Sequence, residues 1–117
     1  MFSLEESMSY FVYTDYIDMR LGVPRLYDLV NTIYPNNSFI TGNQVFIFFG
    51  KSKNNVKILR WESGGFLLYQ KKLAHGTFEI PKFDSKQRRM TISYKTLSFI
   101  MQGVVLNSVK YRPRLGV

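Results

Sequence analysis

The stretch from Gly42 to Pro81 leaves this chain little choice of fold. It holds three β-branched or aromatic runs, Val45–Phe49, Val56–Trp61 and Phe66–Leu73. Two polar gaps separate them, Gly50–Asn55 and Glu62–Gly65. Runs of this length, punctuated in this way, read as antiparallel strands joined by hairpins, a three-stranded meander. Gly64-Gly65 reads as a hairpin turn that needs positive φ. In the first run both parities are apolar: Val45, Ile47 and Phe49 on one side, Phe46 and Phe48 on the other. A strand of that kind is expected to be covered on both faces.

The flanking sequence supplies two helices and further strands. Ser9–Tyr13 is β-branched and aromatic and predicts a short strand. Thr14–Gly22 is a polar connection with two carboxylates and an arginine. Pro24 suits the first turn of a helix, and Leu26, Leu29, Val30 and Ile33 then share one helical face. Pro35 stops that helix, and Asn36-Asn37-Ser38 form a loop. Beyond the meander, Thr77–Ile80 predicts a further short strand, Lys82–Arg89 a flexible charged loop, and Met90–Ile92 a strand. Ser93 is placed as an N-cap, ahead of a helix with Leu97, Ile100, Met101 and Val104 on one face and Gly103 as its C-cap. The expected class is α+β: a mostly antiparallel sheet built on the meander, with one helix before and one helix after it. Residues 1–109 are expected to form a single domain, and residues 110–117 a basic, mobile tail.

Charge is distributed unevenly along this plan. Residues 1–40 carry two basic groups against five acidic ones, and residues 41–117 fourteen against three, within a net charge of +8. Such a one-sided excess is the footprint of a polyanion binder. The best candidate patch is Lys51, Lys53, Lys57, Arg60, Lys71 and Lys72. If the third strand runs back along the second, Lys71 and Lys72 approach the same end of the sheet as Lys51 and Lys53. Lysines also protect sheet edges against mispairing, so a solvated edge is the other reading. Trp61 is either a core residue or, if exposed, a platform for stacking on a base.

Residue chemistry gives little sign of a reaction. No cysteine is present, which rules out disulfides and thiolate metal sites and fits a cytoplasmic protein. No histidine pair stands ready for zinc, and no phosphate-binding glycine loop occurs. The single histidine, His75, sits in a turn without a partner to orient it. Asp15 and Asp18 could contribute to a Mg²⁺ site only with more converging oxygens. The stronger reading is that Asp18 bonds nearby main chain or Arg20. No cofactor is expected. Neither a signal peptide nor a membrane-length apolar run is evident.

These residues also resemble a known family. Asp18-Met19-Arg20, then Gly22, Leu26, Leu29 and Val30, is similar to its D-M-R-x-G-x-x-x-L-x-x-L-V signature. Val45–Phe48, Lys57, Leu59, Trp61, Gly65-Phe66, Lys71-Lys72-Leu73 and Gly76-Thr77-Phe78 resemble its central block in order and spacing. The family is the TnpB-type accessory protein of the IS66 insertion sequences of bacteria, unrelated to the RNA-guided nuclease of that name. The similarity spans roughly residues 9–105. The chain departs from it in a turn, Gly50–Asn55, that is less rich in arginine, and in Glu62 and Pro24. The resemblance implies a role in transposition beside a separate transposase and carries over neither an activity nor catalytic residues; with no reactive centre in the sequence, a non-catalytic accessory protein is expected. Two readings follow: DNA binding, to the element's ends, through the basic second half, or an adaptor that docks on the transposase through an exposed aromatic sheet face.

Overall fold

A computed structural model of the chain describes residues 4–34, 43–82, 84, 86–102, 104–105 and 110–111. Its elements, in chain order, are β1 (Ser9–Tyr13), α1 (Val23–Ile33), β2 (Gln44–Phe49), β3 (Asn55–Glu62), β4 (Gly65–Lys72), β5 (Arg89–Ile92), α2 (Tyr94–Gln102), β6 (Val104–Val105) and β7 (Lys110–Tyr111). The first five strands form one mixed sheet in the order β4-β3-β2-β1-β5. Within it β2, β3 and β4 are joined by antiparallel ladders, from Val45↔Arg60 to Phe49↔Val56 and from Asn55↔Lys72 to Glu62↔Gly65. The first strand lies parallel to β2, with Ser9 opposite Gln44, and antiparallel to β5, with Tyr13 opposite Arg89. A parallel pair needs a crossover, and α1 lies within it.

Both faces of the sheet are covered, which explains the apolar first run of the meander. On one face Tyr10, Val12, Val45, Ile47 and Ile58 pack with Leu97, Ile100 and Met101 of α2. On the other Phe11, Phe46, Phe48 and Leu59 pack with Leu26, Val30 and Ile33 of α1. Val45 to Phe49 are all buried, as such a strand requires. Each such side chain taken out of water contributes about 1.5–3 kcal/mol. The helices cross the sheet in opposite directions. From its start near β3 and β4, where Tyr27 meets Phe66 at 5.1 Å, α1 runs to β1, where Tyr34 meets Phe11 at 5.3 Å. In the reverse sense α2 runs from β1, with Tyr94 5.8 Å from Tyr10, to β4, where the Lys71 ammonium donates to Met101 O.

Several local expectations meet their physical cause. Pro24 stands in the first turn of α1, and the Thr96 N–H donates to Ser93 Oγ at 3.0 Å, so Ser93 caps α2. The β3–β4 turn differs by one residue from the expected one. Its positive-φ positions are Ser63 (48°) and Gly64 (88°), while Gly65 already pairs with Glu62 as the first residue of β4. Thr77–Ile80 forms no strand. Gly76, at φ 75°, turns the chain, and Phe78 donates to Lys53 O and buries its ring against Phe49. Helix α2 stops at Gln102, and Val104, expected on its apolar face, is in β6 instead. Val104-Val105 is β-branched and gains more from a strand than from a helical turn. Lys110–Tyr111 of the expected tail pairs with it as β7. The expected loop 36–38, the C-cap Gly103 and Arg112–Arg114 lie outside the described residues.

Candidate nucleic-acid interface

Strand direction sorts the charges. At one end of the sheet β1, β2 and β4 finish and β3 and β5 begin, since Tyr13 is opposite Arg89 and Asn55 is opposite Lys72. The β2–β3 turn brings Lys51 and Lys53 to this end, β4 brings Lys72, and the segment before β5 brings Lys86 and Arg88, all exposed. Leu73 N–H donates to Asn54 O at 2.7 Å, which fixes the end of β4 beside that turn, as expected for antiparallel strands. Exposed Asp15 and Asp84 are also here, as are half-buried Glu79 and an Asp18–Arg20 pair. The opposite end carries Glu5 and Glu6 before β1 and Glu62 at the β3–β4 turn, with Lys95 of α2. Neighbouring strands lie about 4.8 Å apart, so the cationic end is about 19 Å wide.

The six residues singled out from the sequence do not form one surface. Lys51, Lys53 and Lys72 are exposed. Lys57 is 6% exposed on the α1 side, and its ammonium donates to Leu21 O at 2.7 Å. Arg60 is 7% exposed on the α2 side, close enough to Tyr10 for its charge to act on that phenol. Lys71 is half-buried and bound to Met101 O at 3.2 Å. Alternation explains the split: residues 57 and 60 of one strand point to opposite covered faces. They are corrected here from surface to interior positions.

Helix ends account for another cation. Neither helix has a basic residue in its last turn, yet C-terminal carbonyls favour positive partners. Arg89 donates through Nη1 to Ile33 O at 2.7 Å, with its guanidinium 4.3 Å from the Tyr34 ring centre. Lys71 does the corresponding work at α2. Reading the sequence alone missed both, because the helix and the strand that serves it lie far apart in the chain. The segment before β5 is also tied down: Thr14 N–H donates to Arg88 O at 3.0 Å, its hydroxyl to Gln87 O, and Lys86 N–H to Asp84 Oδ1 at 2.9 Å.

The D-M-R turn is a docking device between α1 and the sheet. Asp18 Oδ1 accepts the Arg20 N–H at 2.9 Å, and its carboxylate also receives the Arg20 guanidinium, with Nη2 2.7 Å from Oδ2. Those bonds from the Arg20 side chain, then from its backbone, hold the Asp18 carboxyl at about 2, below the ordinary 3.8. Met19 lies so close to Gly50 that a Cβ there would stand 2.7 Å from its Cγ. Lys57 then binds the next carbonyl, of Leu21. Trp61 is half-buried, edge-on to Phe66 at 5.0 Å, neither fully core nor an open platform. Burial raises the Tyr10 phenol to about 12, while its hydroxyl donates to Glu5 O at 2.7 Å.

Among the described residues no three histidine, aspartate or glutamate side chains converge, and His75 is exposed. No helix among them is long and apolar enough to cross a membrane. The only exposed large hydrophobic side chain among them is Tyr16, at the cationic end with the Lys53 ammonium 6.0 Å from its ring centre. A family model described as IS66 Orf2 like protein matches residues 8–111. No curated protein and no solved structure matches the chain.

Proposed function

The chain belongs to the IS66 Orf2-like family, which fits an accessory role in insertion-sequence transposition, and we propose that it serves there without catalysis, by binding DNA at the cationic end of its sheet. The observation that carries this reading is the convergence of Lys51, Lys53, Lys72, Lys86 and Arg88 at one end, from three separate chain segments. The interior cations Lys57 and Arg60, and the helix-capping Lys71 and Arg89, have no part in it. An end about 19 Å wide faces about six base pairs of duplex, at ~3.4 Å each. The contacts are to phosphates, so they position the protein rather than read sequence. The protein is cytoplasmic in this reading, and the element's ends are its DNA.

The adaptor reading loses its expected docking surface, because a helix covers each face of the sheet. Mobility-shift titrations on the element's terminal repeats and on unrelated duplex, at several salt concentrations, test the proposal. Each phosphate contact contributes about −0.9 to the slope of log K against log salt. Replacing Lys51, Lys53, Lys72 and Arg88 together by Glu should flatten that slope by about 3–4. An unaltered slope, or no binding by the native protein at low salt, overturns it. A complex with the transposase that survives nuclease treatment would favour the adaptor instead.

A further inference from the structure

The strand at one margin of the sheet, β4, presents a long edge. Eight residues long, β4 has β3 as its only strand neighbour among the described residues. Natural edges are commonly guarded by lysines, proline, a bulge or brevity, and the lysines of β4, Lys71 and Lys72, stand only at its last two positions. Here the register with β3 runs without interruption from Asn55↔Lys72 to Glu62↔Gly65, and no proline falls in Gly65–Lys72. The opposite edge, β5, is only four residues long. In an antiparallel ladder closed by a two-residue turn, alternate residues aim their backbone groups outward. The inward set includes Gly65 and Leu67; the outward set includes Leu68, Gln70 and Lys72.

We propose that two copies of this chain pair antiparallel along β4, about a two-fold axis at Leu68, to form a continuous ten-stranded sheet. The sequence of the strand is self-complementary in that arrangement. Leu68 meets Leu68 of the other copy, and Leu67 meets Tyr69, so the apolar half of each strand covers the other. Side chains keep to the correct face, because residues paired across this axis share parity. Charge selects the same direction. The Lys71–Lys72 end of each copy lies against the other's Ser63–Gly65 turn, next to Glu62, whereas a parallel pairing would set the four lysines side by side. A groove of about 270 Å³ between β4 and α2, lined by Tyr69, Lys71, Ser98 and Met101, borders the edge and would face the other copy. In the pair the two cationic ends point in opposite directions. The inference is independent of DNA binding.

The absence of cysteine makes a register-specific test direct. Paired residues at the axis have Cα atoms about 5.5 Å apart, within disulfide reach. Leu68→Cys should therefore crosslink to itself under mild oxidation, while Thr91→Cys on β5 should not. Light scattering of the native chain at rising concentration should approach twice 13.7 kDa. Leu67→Lys, at a half-buried position packed into neither core cluster, and Gln70→Pro, which removes an outward N–H, should each weaken association about tenfold or more. Circular dichroism confirms that the variants remain folded. A native chain that stays monomeric at high concentration overturns the proposal. So do folded variants that associate as before, or crosslinking that favours position 91.

Discussion

Replacing Lys57 by Met separates cations that build the fold from cations that meet a partner. The substitution keeps the length of a stem that is 94% buried, since Lys57 is 6% exposed, and removes the ammonium that holds Leu21 O at 2.7 Å. A hydrogen bond from a charged donor contributes about 1.5–3 kcal/mol. Removing an ammonium from a nearly dry site offsets part of that loss, which leaves a net destabilisation of about 1–2 kcal/mol. At an unfolding entropy of ~2.1 cal/mol/K per residue, 117 residues give about 4 °C per kcal/mol. Thermal melts followed by circular dichroism should thus show Tm lowered by about 4–8 °C. Hydrogen exchange should quicken in the Asp18–Leu21 turn, which loses its anchor to β3. The salt slope of DNA binding should not change. A variant with native Tm and a slope flattened by about one unit would refute the reasoning, because Lys57 would then be a phosphate ligand.

Arg89→Ala should cost about 1–2 kcal/mol, the sum of a lost helix-terminal cation and a lost guanidinium–ring contact, and Arg89→Lys should fall between, since an ammonium lacks the planar stack on Tyr34; Tm and exchange in the last turn of α1 measure both. Gly50→Ala should destabilise by about 1–3 kcal/mol through the clash with Met19, and Met19→Ala should recover part of that loss in a double-mutant cycle, a coupling that vanishes if the two side chains do not meet. Asp18 titrates at about 2 when folded against an ordinary 3.8, so its pairing stabilises the fold above pH 4 and fades as pH falls toward 2. Asp18→Asn should accordingly be less stable than the native chain at pH 7 by a small, salt-screened margin that closes over that window, seen in melts at stepped pH.

Local pattern was enough to specify β1 to β5 and both helices, but not β6 and β7. The runs in Gly42–Pro81 predicted β2, β3 and β4 to within a residue, because alternation, β-branched side chains and glycine turns act over a few neighbouring residues. The same holds for β1, for the buried stripe Leu26, Val30 and Ile33, and for the cap at Ser93. Val104 was misplaced because helical spacing continues on paper past Gln102, where α2 ends.

Strand order lay beyond the sequence. Nothing in Ser9–Tyr13 says that it inserts between β2 and β5, parallel to one and antiparallel to the other. That choice depends on the summed burial of two faces against two helices, a property of the whole chain. It also decided the fate of each cation. Alternate residues of a strand point to opposite faces, so Lys57 and Arg60 went under different helices. Arg89 and Lys71 reached helix ends far away in sequence. Lys51, Lys53, Lys72, Lys86 and Arg88, from three separate segments, came to one end. Charge content is written residue by residue, but an electric surface is made by the pairing of strands, and that pairing forms only when the core closes.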